Sequence, residues 1–136
     1  MKTIVAVLDT MWGSEEGKAA RYFRINPENH SGKRLYKLVG PRNHLVVTNA
    51  CREMTNSSKK HGLPDSSWLE ENLKRLEKKS QIDVLLVCGK VALKAFENML
   101  YMPKAKEILY LPHPAARNWS KKMLSKTAKK IQKEKK

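Results

Sequence analysis

Short apolar runs rich in β-branched residues alternate along this chain with longer segments of helical periodicity, and that alternation limits its fold more than any other feature. Residues 3–8 (TIVAVL), 45–48 (LVVT), 83–88 (DVLLVC) and 108–111 (ILYL) read as strands. They are apolar with little in–out alternation, as strands covered on both faces should be. Between them lie helical segments. Residues 33–39 (KRLYKLV) form a short one, closed by Gly40-Pro41. Residues 66–79 form a clearer one, with Ser66 or Ser67 as cap, Glu70 and Glu71 in the first turn, and Leu69, Leu73 and Leu76 as an apolar stripe. Residues 91–100 follow Gly89 and offer Val91, Ala95 and Leu93, Phe96, Leu100 as packing faces. Over residues 121–136 a last helix places Met123, Leu124, Thr127, Ala128 and Ile131 on one side, with its final residues fraying in solvent.

Such an order implies an α/β fold: three layers, α/β/α, around a central, mainly parallel four-stranded sheet with right-handed crossovers. The length of 136 residues suits one domain. It is expected over residues 1–119, followed by a basic, Lys-rich C-terminal helix or tail over 120–136. Ligands of such sheets bind at the carboxyl ends of the strands, near a switch in strand order. Asp9 follows the first strand, Asn49 the second, Gly89 the third and His113 the fourth. Each alone is an ordinary residue for a strand-end turn. Together they put a carboxylate, an amide, a glycine and an imidazole on one edge.

Charge points to the partner. Twenty-eight Lys and Arg against thirteen Asp and Glu give a net charge of +15. Residues 120–136 hold eight Lys and one Glu, and the rest of the chain still carries +8. A field of this sign captures polyanions, and nucleic acid is the expected one. No strongly apolar helix face accompanies the charge, and no apolar run approaches the roughly 20 residues that cross a bilayer, so no membrane partner is expected. With no signal-peptide layout at the start, the expected location is cytoplasmic. Cys51 and Cys88 form no CxxC pair and have no His at ligand spacing, which speaks against a zinc or iron–sulfur site. Both read as small apolar groups, and no metal is expected.

At the strand-end residues the chain resembles the uracil-DNA glycosylase superfamily, from the first strand to about Trp119. Val7-Leu8-Asp9-Thr10-Met11 falls where that superfamily carries its water-activating loop. Val46-Val47-Thr48-Asn49 resembles the strand ending in the base-reading Asn. Residues 83–89 with Val91-Ala92 resemble the third strand and its glycine turn, and Leu111-Pro112-His113-Pro114-Ala115 resembles the late His-Pro-Ser loop. The resemblance implies a monofunctional DNA glycosylase without cofactor, acting on DNA as a monomer. Asp9 would orient a water and stabilise the cationic sugar, and His113 would hydrogen-bond the departing base anion. Asn49 would pair with the edge of an extruded pyrimidine. Met11, Tyr22 and Phe23 would complete base recognition. Gly89, Lys90, Ala115, Arg117, Asn118, Lys121 and Lys122 would meet the DNA.

Three departures from the family pattern bear on specificity. Met11 replaces the Tyr that blocks 5-substituents in the uracil-specific branch, Ala115 replaces a phosphate-contacting Ser, and Arg117 stands where a Leu commonly wedges into the duplex. A 5-substituted pyrimidine, such as a phage-type modified cytosine met in anti-phage defence, is therefore an expected substrate beside uracil.

Two other readings compete. A non-catalytic nucleic-acid binder needs only the charge, with Trp12, Trp119, Tyr22 and Phe23 for stacking. Residues 12–18 (WGSEEGK) resemble the phosphate loop of adenylosuccinate synthetase, although the spacing is one residue short of a regular P-loop and Ala19 stands at its Ser/Thr position. His30, His44 and His61 read as surface or turn residues, and residues 26–32 as a loop.

Overall fold

The computed structural model describes residues 2–9, 21–28, 30–51, 65–114 and 119–132. Within them run β1 (Thr3–Leu8), α1 (His30–Val39), β2 (His44–Asn49), α2 (Ser66–Lys79), β3 (Ile82–Cys88), α3 (Lys90–Glu97), β4 (Ala105–Leu111) and α4 (Lys121–Gln132). The four strands form one sheet in the order β2-β1-β3-β4, with every pair parallel. An antiparallel bridge joins Phe23 to Val47 on the outer flank of β2, through N–H···O bonds of 2.8 and 2.9 Å.

The pleat sorts the strand residues into two cores. Ile4, Ala6, Leu8, Leu45, Val47, Val84 and Leu86 face Leu35, Leu38 and Val39 of α1 and Ile131 of α4. Val5, Val7, Leu85 and Val87 face Leu69 and Leu73 of α2 and Ala92, Ala95 and Phe96 of α3. A single crossover hand accounts for this division. The step from β1 to β2 runs one way along the sheet, and the steps to β3 and β4 run the other, so α1 lies opposite α2 and α3. After β4 the chain returns to pack α4 beside α1. The result is the expected three-layer α/β/α fold.

Element boundaries move where local chemistry decides them. Helix α1 starts at His30, inside the segment read as a loop; ahead of it the Asn26 side chain accepts from Glu28 N (2.9 Å), closing a turn. Gly40, at φ +86°, ends α1 as expected. The cap of α2 is Asp65, which accepts from Trp68 N at 3.0 Å. Ser66 instead donates to the Ala95 carbonyl (2.7 Å). Glu70 and Glu71 lie past the first turn, where Glu70 accepts from Tyr101 N (2.8 Å) and Glu71 pairs with Arg75 (3.0 Å). Helix α3 stops at Glu97, leaving Leu100 fully exposed rather than packed.

The Lys-rich helix is a layer of the domain. Ile131 is completely buried, Lys2 Nζ donates to the Ile131 carbonyl (2.9 Å), and Gln132 Nε2 donates to the Leu38 carbonyl (2.9 Å). Residues 133–136 lie outside the described residues. No helix is long and apolar enough to cross a membrane among the described residues.

Candidate active site

With β1 and β3 adjacent at the centre, the strand order reverses direction between them, and their carboxyl ends diverge into a crevice, the usual ligand position in open α/β sheets. A cleft of about 550 Å³ opens there, within the range of small-molecule sites. Asp9, Val87, Gly89, Lys90, Leu93, Tyr110 and His113 are among its walls. The structure thus brings together Asp9 and His113, which are distant in sequence.

Asp9 is held by a continuation of the β1–β2 pairing. Ala50 N donates to the Leu8 carbonyl (2.9 Å) and Cys51 N to the Asp9 carbonyl (3.1 Å), so the two chains stay joined beyond the strands. The Asp9 side chain is nearly buried, and the Cys51 thiol points at its Oδ1 from 3.8 Å.

His113 stands on a loop tied at three points. Gly89 N donates to the Leu111 carbonyl (2.8 Å), the Trp119 indole to the Pro112 carbonyl (2.8 Å), and Arg34 Nη1 to the Pro114 carbonyl (2.6 Å). The flanking prolines fix their own φ angles, so the imidazole is set on a rigid span. Gly89 makes room for it. At φ +94° it adopts a conformation that L side chains disfavour, and a Cβ there would sit 3.1 Å from that of His113. Its part in the site is therefore to seat the histidine loop.

Asn49 shares the edge but not the cleft. It is the last residue of β2, in register with Leu8, only 2% exposed, and its Nδ2 has no hydrogen-bond partner among the described residues. A buried amide donor left unpaired costs about 1–3 kcal/mol, and a role in binding would account for keeping it. Tyr22 and Phe23 belong elsewhere. They line a second cleft, of about 330 Å³, with Thr3, His44 and Ile82 at the amino ends of the strands. Residues 21–25 run back along β2 from the Phe23 bridge, which carries both rings away from Asp9 and His113. Trp119, considered for stacking, is buried in the first core and serves the histidine loop. The aromatic wall of the cleft is Tyr110, 58% exposed and edge-on to Phe96 with centroids 6.4 Å apart. No motif marks Tyr110, because its place follows from its position on β4. Met11, Ala115, Arg117, Asn118, His61 and the 12–18 motif lie outside the described residues.

The edge is electropositive in its helix ends. All four helices run antiparallel to the strands, so their N-termini, the positive ends of their dipoles, gather at the cleft side. None has an acidic residue in its first turn, and Lys90, Lys121 and Lys122 stand exposed at two of these ends. Backbone donors and cations of this kind are the features that suit an anion. Burial pushes the Cys88 thiol up to about 12, so it stays protonated beside the cleft. No cluster of three His, Cys, Asp or Glu side chains is placed to hold a metal ion among the described residues.

The family model described as the uracil DNA glycosylase superfamily matches residues 13–134. The chain belongs to this superfamily. The match takes in Asn49, Gly89, His113 and the whole of α4, and begins just after β1 and Asp9. No curated protein and no solved structure matches the chain. Membership in the superfamily supports a function of the DNA-glycosylase type, with DNA as partner.

Proposed function

We propose that the protein is a monofunctional DNA glycosylase that hydrolyses the N-glycosidic bond of an extruded pyrimidine. The observation that carries this reading is the meeting of Asp9 and His113 in one cleft at the switch point of the sheet. Breaking the C1′–N bond leaves positive charge on the sugar and negative charge on the base. Asp9 stabilises the cationic sugar electrostatically and orients the water whose oxygen bonds to C1′. The proton that water loses balances the one the departing base anion takes up. His113 donates a hydrogen bond to a carbonyl oxygen of that anion, in the manner of an oxyanion hole. Tyr110 and Leu93 supply the flat apolar wall against which the base rests, and its edge is assigned to Asn49 at the end of β2, whose buried amide the incoming base would have to uncover. Lys90, Lys121 and Lys122 hold the flanking phosphates.

The substrate class we assign is a 5-substituted pyrimidine, such as a modified cytosine of phage DNA, with uracil as a smaller competitor. Met11 in place of a blocking Tyr supports this choice, and the cleft volume leaves room for a substituent. The test is free-base release, read by mass spectrometry, from DNA carrying uracil, cytosine or 5-substituted cytosines. Release is expected from the modified DNA, and His113→Ala should lower kcat by about 10²–10³-fold with DNA binding intact. Binding without release from any of these DNAs would reduce the protein to a nucleic-acid-binding module.

A further inference from the structure

The four helices divide into two layers of unlike charge. On α1 and α4 stand Lys33, Arg34 and Lys37, then Lys121, Lys122, Lys126, Lys129 and Lys130, with no acidic residue among them. On the other face α2 and α3 mix signs: four glutamates stand among six cations, and Lys74 pairs with Glu70 (3.4 Å) and Arg75 with Glu71 (3.0 Å). The Arg75 hydrogen bond and the nearby Arg21 charge hold the Glu71 carboxyl below its usual range. Ordinary solvated surfaces intersperse both signs, so an acid-free layer beside a mixed one needs a reason.

The lysines of the first layer are also ordered. On α4 they recur at 121–122, 126 and 129–130, all exposed, opposite the buried Thr127 and Ile131. That spacing makes a row down one side of a helix about 18 Å long. Lys33 and Lys37 form a second exposed row on α1, which lies beside α4 and runs the same way. The link from Arg34 to Pro114 marks the upper end of this layer, and that from Gln132 to Leu38 its lower end. The rows therefore begin at the cleft edge and descend the flank of the domain, away from Asp9 and His113.

We infer that the α1–α4 face is a second DNA-binding surface, a track for duplex phosphates outside the segment held at the cleft. This rests on the reading of DNA as the partner. A duplex presents one phosphate charge per roughly 1.7 Å of axis, so a row of this length meets several. An anionic membrane would offer the same charge. Among the described residues, however, the large exposed hydrophobics, Leu100, Met102 and Tyr110, all lie outside these two helices, which leaves none of them on this face to enter lipid.

The test compares wild type with the triple variant Lys126→Gln, Lys129→Gln, Lys130→Gln, binding a duplex of roughly 30 base pairs and one of roughly 8 across a salt series. The expected result is a salt slope lower by about 2–3 on the long duplex, because each lost phosphate contact removes about 0.9. A flank of the bound duplex would confine that change to the long DNA. A second duplex would instead show as two-to-one binding of the short one, lost in the variant. Lys33→Gln with Lys37→Gln should act in the same direction, whereas Lys78→Gln with Lys94→Gln on the opposite face should leave the slope unchanged. An unchanged slope in the triple variant overturns the inference, as does an equal loss in the α2–α3 control. Loss of binding to vesicles rich in anionic lipid, with DNA binding unaffected, overturns it in favour of a membrane. A wild-type protein that releases no base yet shows the face-specific change removes the catalytic reading and keeps this one.

Discussion

Gly89 joins a backbone constraint to the seating of His113. Alanine there would hold a positive φ at a cost of about 1–3 kcal/mol and press its Cβ on that of His113. Gly89→Ala is expected to lower the unfolding free energy by that much, read as a lowered urea midpoint. Base release should fall by about 10²-fold, since displacement of a catalytic group by about 1 Å has that effect. A lowered midpoint with unchanged kcat would show that His113 does not depend on the glycine. Cys88 gives a second check at this scale. Its thiol is pushed from 9.0 up to about 12 in the folded protein. Below pH 9 the thiol is protonated whether folded or not. Between pH 9 and 12 only the unfolded chain ionises, so stability falls as pH rises through that window. Cys88→Ala should flatten that part of the stability–pH curve. The placing of Asp9, Gly89 and His113 along one sheet edge was legible in the sequence because strand ends announce themselves. Arg34, Trp119 and Tyr110 were not, because each acts through contacts that only the folded sheet creates.

Among the elements, α4 carries the clearest test. Its lysines face solvent and its Ile131 is fully buried against α1 and the sheet. Ile131→Ala should cost about 2–5 kcal/mol, read by chemical denaturation, while a surface appendage would cost almost nothing. The apolar side of this helix was plain from its periodicity. Its union with the domain was not, since the ties through Lys2 and Gln132 span almost the whole chain. Strand β1 was found to the residue because its run is unbrokenly apolar from Ile4 to Leu8 behind a β-branched Thr3. At β4 the polar Lys106 and Glu107 hid the first half of the strand. They are tolerated because β4 is an edge, with one side open to solvent. Tyr22 and Phe23 come soon after β1 in sequence, which by itself suggests a place near its carboxyl end. The antiparallel bridge to Val47 takes the chain the other way.

The whole molecule has a chemical axis as well as a core. Parallel strands send every crossover helix back with its N-terminus on the same side, so one edge gathers dipoles, lysines and the crevice. The strand–helix order in the sequence was sufficient for this arrangement, whereas the sorting of charge between the two faces needed the crossover geometry. The acid-free layer of α1 and α4 also bears on time. A surface that holds phosphates without reading bases lets a protein slide and hop along DNA between encounters. Each landing, wherever it falls, then becomes the start of a local scan. Rare target bases would be reached by travel along the polymer, at a rate set by salt and by the length of DNA on either side.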